Sequence, residues 1–326
     1  MLIKSADSKT GALKLLERFK QYPNITESQQ KAIEKEIRLL KAGIKGEEEA
    51  AYLIDFHFKG SKNNAVIHDL RLEINDRVAQ IDHLLINRSL MVFVLETKHF
   101  NCGIKINENA EFLRWNDFKK TYEGMPSPVA QNERHIVVLK EAFNLLDMPV
   151  RLGIRLKPSF VPYVLVSASS RIDRPKHLDT SQIIKADVLE HTIMQKFDKL
   201  GVMDTLGAAA RMVSTETLEA IAKQLVALHK PITVDYQAKF GLPDRQVVGQ
   251  PSQADAPVCR KCGSANIGIQ YGKFGYYFKC FDCDGNTPLK AACDKDGCKA
   301  RIRKEGNNFY RECVACNGST LFFTNL

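Results

Sequence analysis

The chain has 326 residues, 44% of them hydrophobic and 26% charged, which is the composition of an ordinary soluble globular protein. This length suffices for a full catalytic domain and a smaller second module. The net charge of +9 favours a polyanionic partner, although a membrane surface or solubility alone would also fit. No run approaches the roughly 18 apolar residues of a membrane span and the first residues lack a signal-peptide core, so we expect a cytoplasmic protein without a membrane partner.

The N-terminal part is predicted as a helical lead-in over residues 1–39, of which residues 1–25 are mobile or loosely helical. Apolar residues at 3–4 spacing predict a long helix from about Thr26 towards Phe58. Gly43 and Gly46 lie inside it, and each costs about 1 kcal/mol relative to Ala. We therefore expect them to permit close packing against a sheet.

An α/β domain with a mixed sheet flanked by helices is predicted over residues 40–230, because helices and apolar strand runs alternate there. A polar, irregular segment over residues 231–257 is predicted as a linker. The only Trp, Trp115, is expected in the core. The predicted strands are Ala65–Ile74, Val78–Asn87, Leu90–Phe100, Gly103–Ile106, Glu111–Trp115 and Phe160–Ala168. Three helices of this domain are predicted after residue 120. One begins at Ser127-Pro128, and the other two cover Asp187–Leu200 and Glu216–Leu228.

Charged side chains interrupt two of these strands, which otherwise are apolar enough to be buried on both faces. Asp82 lies in one strand, and Glu96 and Lys98 lie in the next. Buried charges are costly unless they are paired or bind a metal. Side chains two apart on a strand share a face, so Glu96 and Lys98 point the same way.

The register of this hairpin decides whether Asp82 joins them. A two-residue loop at Arg88-Ser89 would put Asp82 on the other face, whereas an odd loop or a bulge would pair Asp82 with Glu96. Two adjacent carboxylates would favour a hard divalent cation, Mg²⁺ or Mn²⁺. The alternative is a structural ion pair between Lys98 and one of the acids.

Two other polar residues are candidates for the same site. Glu47 follows the glycines of the long helix, and Gln131 lies in the first turn of the helix that begins at Ser127-Pro128. For each, a solvent-facing position is the alternative.

Eight of the nine cysteines follow residue 258 in close pairs, which in a reducing compartment indicates metal rather than disulfides. Each set supplies four thiolates, enough for a closed, structural zinc site, with iron–sulfur as the competitor. Metal binding would supply folding energy that about 30 residues cannot obtain from a core. We therefore predict tandem zinc ribbons over residues 258–326, with the ligands Cys259, Cys262, Cys280 and Cys283 for one zinc and Cys293, Cys298, Cys313 and Cys316 for the other.

Aromatic and basic residues alternate around these cysteines, as in Gly275-Tyr276-Tyr277-Phe278-Lys279. Aromatic rings beside Lys and Arg suit base stacking and phosphate contact on single-stranded nucleic acid. The alternative is that the rings form the small core of each ribbon.

Four short motifs occur in an order that resembles the nuclease-related domain family (NERD), a branch of the PD-(D/E)xK nuclease superfamily. The cysteine module is similar to the zinc fingers of bacterial type I topoisomerases. The motifs are Gly43-x-x-Gly46-Glu47, Ile81-Asp82-His83-Leu84-Leu85, Glu96-Thr97-Lys98 and Pro128-x-x-Gln131.

The resemblance implies a restriction-endonuclease-like fold and a Mg²⁺-dependent nuclease that leaves 5′-phosphates. By it, Asp82, Glu96 and Lys98 take the catalytic positions, Glu47 and Gln131 the accessory ones, and Asp82, Glu96 and the carbonyl of Thr97 hold the metal. The expected substrate is nucleic acid, DNA rather than RNA, held by the zinc ribbons. The alternatives are a non-catalytic nucleic-acid-binding protein and a scaffold whose ribbons bind a protein partner.

Overall fold

In the computed structural model the described residues are 1–22, 25–99, 103–116, 118–199, 201–242, 257–289, 300–313 and 318–325. They divide into two units. Unit one comprises Met1–Ser8 and Arg38–Val234, and unit two comprises Lys9–Ile37 and Asp235–Leu326. The helices are α1 (Thr10–Phe19), α2 (Glu27–Phe58), α3 (Pro128–Leu145), α4 (Leu189–Asp198), α5 (Val202–Ala210), α6 (Thr215–Ala227) and α7 (Tyr236–Lys239).

Unit one is built on a six-stranded mixed sheet. The strands of this sheet are β1 (Leu2–Lys4), β2 (Asn64–Ile74), β3 (Arg77–Asn87), β4 (Met91–Lys98), β10 (Ser159–Val166) and β12 (Ile183–Lys185). They are arranged in the order β1-β2-β3-β4-β10-β12. Strands β2, β3 and β4 are antiparallel neighbours, whereas β10 runs parallel to both β4 and β12.

Helices cover both faces of this sheet. On one face Ala50 and Ile54 of α2 pack with Phe93 and Leu95 of β4. On the other face α3 and α6 pack with the alternate residues of the same strands, among them Val94. This two-sided burial explains why the central strands are apolar throughout, as the sequence predicts.

A smaller four-stranded sheet in the order β11-β5-β6-β7 packs on β10 and β12. Its buried residues, such as Ile104 and Phe112, contact Val164 and Val166. Its strands are β5 (Ile104–Ile106), β6 (Phe112–Asn116), β7 (Thr121–Met125) and β11 (Ile172–Asp173), and a separate short hairpin joins β8 (Val150–Arg151) to β9 (Ile154–Arg155).

Unit two contains two three-stranded antiparallel sheets that share one apolar core. Phe278 of the first and Phe309 of the second are both buried in this core. The strands are β13 (Ile267–Gly272), β14 (Gly275–Cys280) and β15 (Asn286–Pro288), then β16 (Ala300–Glu305), β17 (Asn308–Cys313) and β18 (Gly318–Thr324).

The first residues of the predicted helical lead-in form a strand, whereas α1 and the start of α2 lie in its remainder. Leu2–Lys4 form an edge strand that runs parallel to β2, and the terminal ammonium donates to the carbonyl of Phe58 at 3.1 Å. Three residues are too few for any periodicity to reveal a strand. In unit two, the Arg18 guanidinium donates to Asn266 Oδ1 at 3.0 Å, so α1 is tied to the cysteine module.

Three further predictions are corrected. The segment predicted as an irregular linker includes helix α7, where Asp235 caps the helix and Tyr236 is buried. Trp115 is half-buried rather than fully buried and lies against Tyr122, on the face of the small sheet opposite to Phe112. Gly46 does permit a close approach, because a Cβ there would lie 2.8 Å from His99 Cβ, but Gly43 meets no neighbour that closely.

Candidate active site

The turn between β3 and β4 sets the register that brings the acids together. Asn87 accepts three hydrogen bonds at Oδ1, from the Ser89 N–H, the Ser89 hydroxyl and the Met91 N–H. Leu90 then adopts a left-handed conformation with φ of 57°. His83 consequently pairs with Leu95, so one position further along Asp82 lies opposite Glu96. This is the odd-loop register, in which both carboxylates lie on the same face.

The two acids occupy the end of the hairpin on the side covered by α3. Asp82 Oδ2 accepts the backbone N–H of Thr97 at 2.7 Å. Glu96 is only 2% exposed, and its Oε1 accepts the Lys98 ammonium at 2.6 Å. Its Oε2 has no hydrogen-bond partner among the described residues. A buried carboxylate oxygen without a donor is costly and suits a site that binds a cation.

Helix α3 supplies the second side of the site. Ser127 caps the helix by accepting the Ala130 N–H at 3.1 Å, and this fixes the first turn. Gln131 Oε1 then accepts the Lys98 ammonium at 3.1 Å. The Lys98 side chain is thus held between Glu96 and Gln131, as expected if Gln131 faces the site rather than solvent.

Asn132, beside Gln131 in sequence, has a structural role. Its side-chain amide donates to the carbonyls of Val94 and Tyr163 at 2.8 and 3.0 Å. The Asn132 side chain therefore ties α3 to both β4 and β10.

His135 is a site residue that the sequence analysis does not identify. Its Nδ1 lies 3.5 Å from Glu96 Oε2. Burial, with the charges of Lys98 and Arg134, lowers the pKa of His135 to about 4. The imidazole is therefore neutral and does not balance the acids. Its position four residues after Gln131, on the same helical face, is the signal that could have found it.

The carboxylates are short of positive charge. Burial raises the pKa of Asp82 well above its usual range, and the negative charges of Glu96 and Glu47 raise it further. Burial also raises the pKa of Glu96, although Lys98 acts in the opposite direction. Glu47 of α2 therefore lies close enough to contribute to the field of the site.

The donor set fits a hard divalent cation. Two carboxylates on one face, one of them with an unpartnered oxygen, provide the oxygen ligands that Mg²⁺ and Mn²⁺ prefer. The raised pKa values agree with this, because burial disfavours the charged carboxylates and a bound cation would stabilise them.

In unit two the first cysteine set converges. The sulfurs of Cys259, Cys262, Cys280 and Cys283 all lie within 4.8 Å of one another, so the set could hold one metal ion. Backbone N–H groups of Cys262 and Lys261 lower the pKa of the Cys259 thiol to about 6, while hydrogen bonds with the neighbouring cysteines raise the pKa of Cys262 to about 12, so the cluster shares its protons when no metal is bound. Of the second set only Cys313 is described; Cys293, Cys298 and Cys316 lie outside the described residues.

Several aromatic and basic residues of the ribbons are used internally. Phe278 and Phe309 are core residues, and Glu312 forms ion pairs with Arg301 and Arg303. The tip of the β13–β14 hairpin remains open to solvent instead, where Phe274 is 96% exposed and lies beside the Lys273 ammonium.

Unit one is thus a mixed α/β domain with an acidic site at one end of its central hairpin. Comparison with protein families finds that residues 42–166 match the nuclease-related domain. Glu47, Asp82, Glu96, Lys98 and Gln131 all fall inside the matched segment. Comparison with curated proteins and with solved structures finds no match. No helix of the described chain is both long and apolar enough to cross a bilayer.

Proposed function

We propose that this protein is a Mg²⁺-dependent nuclease that hydrolyses phosphodiester bonds of nucleic acid, with DNA favoured over RNA. The observation that carries this proposal is the meeting of Asp82, Glu96 and Lys98 at one strand end, where a buried carboxylate oxygen has no partner among the described residues. The match to the nuclease-related domain supports the same class of reaction.

Asp82, Glu96 and the carbonyl of Thr97 would hold the metal. A bound Mg²⁺ would lower the pKa of a water and offset negative charge on the phosphate. The Thr97 N–H orients the Asp82 carboxylate by donating to its Oδ2.

Lys98 would position the attacking water and stabilise the phosphate oxygens as charge develops on them. Its ammonium has a third hydrogen available, because the two donors accounted for go to Glu96 and Gln131. Gln131 would therefore orient Lys98, and Glu47 would adjust the charge of the site or reach a second metal.

Zinc at Cys259, Cys262, Cys280 and Cys283, and at the second cysteine set, would stabilise the ribbons, which would hold the nucleic acid. Support comes from the Lys273-Phe274 tip, where an exposed ring beside an ammonium suits stacking on a base and contact with a phosphate. The ribbons would then act on substrate affinity rather than on the chemical step.

The test is incubation of the full chain with Mg²⁺ and a panel of plasmid DNA, single-stranded DNA and RNA. Cleavage of any of them that stops in EDTA supports the proposal. Binding without cleavage would instead favour the non-catalytic nucleic-acid-binding protein, and neither binding nor cleavage would favour the protein-interaction scaffold.

A further inference from the structure

A cavity of about 220 Å³ opens at the same strand ends as the acidic site, between α2 and the ends of β4 and β10. It is lined by Thr97, whose side chain alternates with those of Glu96 and Lys98 and so lies on the opposite face of the sheet. Lys98 of the acidic site also lines the cavity, so the acidic site and the cavity adjoin at one strand end.

The walls of the cavity are mostly apolar. Ala50 and Leu165 belong to the core cluster beneath α2, and Leu53 packs on that cluster. Tyr52 lines the cavity and is 68% exposed, so an aromatic ring is accessible beside apolar walls. Apolar walls with an accessible ring suit a flat, uncharged group that can stack.

Polar side chains in the lining include Ser167 and Glu49. The Ser167 hydroxyl donates to the Glu49 carboxylate at 3.4 Å. Thr97 Oγ1 and His99 Nδ1 are buried and so are not exposed in the cavity. A hydrogen bond to a ligand would therefore involve Ser167 or Glu49 rather than those two atoms.

Size and charge limit what this ligand can be. Cavities for drug-sized ligands measure about 300–1,000 Å³, so this one accepts a smaller group of the size of one heterocycle. The lining contains the carboxylate of Glu49, which can accept a hydrogen bond from an amino group.

We propose that this cavity binds a single unpaired nucleobase of the strand whose phosphate lies at the acidic site. The proposal rests on the nuclease function, because it takes the nucleic acid strand as its source. Lys98 pairs with Glu96 of the acidic site and also lines the cavity, so one nucleotide strand can place a phosphate at the site and a base in the cavity. The base would stack on Tyr52, with an amino group donating to the Glu49 carboxylate. The substrate class is therefore single-stranded or locally unpaired nucleic acid.

The test is photocrosslinking of the full-length protein, in EDTA, to a single-stranded oligonucleotide that carries one 5-iodouracil. Crosslinked peptides are then identified by mass spectrometry. We expect a crosslink at Tyr52. Tyr52→Ala should remove it and weaken oligonucleotide binding about fivefold or more, as for loss of one base–aromatic stack. Ser167→Trp, which fills the cavity, should also remove the crosslink.

The control is Phe118→Ala, since Phe118 is a 95% exposed aromatic residue of unit one that does not line the cavity. This variant should crosslink and bind as the wild type does. A wild type that does not crosslink at Tyr52, a crosslink that persists in Ser167→Trp, or equal losses in Tyr52→Ala and Phe118→Ala would each overturn the proposal.

The assay needs no cleavage, so it separates the two proposals. A crosslink at Tyr52 without any Mg²⁺-dependent cleavage would refute the nuclease and leave the base cavity standing. Mg²⁺-dependent cleavage without a crosslink at Tyr52 would do the reverse.

Discussion

Lys98→Met tests whether the lysine serves chemistry or only balances a buried acid. Methionine keeps the straight side chain and removes the ammonium. In the wild type this ammonium is 2.6 Å from Glu96 Oε1, and Glu96 is 2% exposed. The substitution therefore leaves a buried carboxyl without its partner.

Breaking a fully buried pair costs about 3–5 kcal/mol. The Lys98 side chain is 25% exposed and Glu96 can take up a proton, so we expect a smaller loss of about 1–3 kcal/mol in the free energy of unfolding without metal. Mg²⁺ should restore part of it, because the cation supplies the missing positive charge. Cleavage at saturating substrate should fall about a hundredfold or more, as for loss of one transition-state contact.

The assays are denaturant unfolding with and without Mg²⁺, and single-turnover cleavage. The control is Lys140→Met on the exposed side of α3, which should cleave as the wild type does. If Lys98→Met loses stability but keeps the wild-type rate, the lysine is a structural ion-pair partner and its proposed role in the reaction is wrong.

Three other predictions concern pH and zinc. The pKa of His135 in the folded protein is about 4, below its ordinary 6.5, so the unfolded chain takes up the proton first as pH falls. In EDTA, the wild type should therefore lose about 1–2 kcal/mol of stability between pH 7 and pH 5 relative to His135→Asn. An equal change in the free energy of unfolding of the two proteins would contradict this. The pKa values of Asp82 and Glu96 are raised, so protons compete with a cation for these carboxylates. The increase in Tm caused by Mg²⁺ should therefore become smaller as pH falls from 7 to 5. An increase in Tm that does not change with pH would place the cation elsewhere. Cys280→Ser should lower the zinc content by about one ion per chain in elemental analysis, because four sulfurs converge at that cysteine; an unchanged content would exclude this set as a zinc site.

The central hairpin could be predicted from sequence, but its register could not. Long apolar runs identify β3 and β4 to within a residue or two. The face of Asp82 depends on a single residue of loop length, and that was decided by Asn87, whose side chain accepts three hydrogen bonds and holds the turn. Asn is a common turn residue, but the neighbouring sequence does not predict that its side chain accepts all three hydrogen bonds.

Structural features that depend on residues distant in the sequence could not be predicted from local sequence patterns. Leu2–Lys4 form a strand only because β2 offers an edge to pair with. Trp115 was expected in the core, since large aromatic residues usually are buried, yet its strand belongs to a small sheet with one solvent-facing side. The shared core of the two ribbons likewise requires residues from both repeats, such as Phe278 and Phe309.

The measurement that tests the central claim most directly is the rate of Mg²⁺-dependent phosphodiester cleavage by the wild type and by Asp82→Asn. Asparagine keeps an oxygen that can accept the Thr97 N–H and removes only the charge that would hold the cation. We predict that the wild type cleaves, that the variant folds with the same Tm or a higher one in EDTA because carboxylate repulsion is relieved, and that its cleavage falls at least about a hundredfold. A well-folded Asp82→Asn variant that cleaves at the wild-type rate would contradict the assignment of this site.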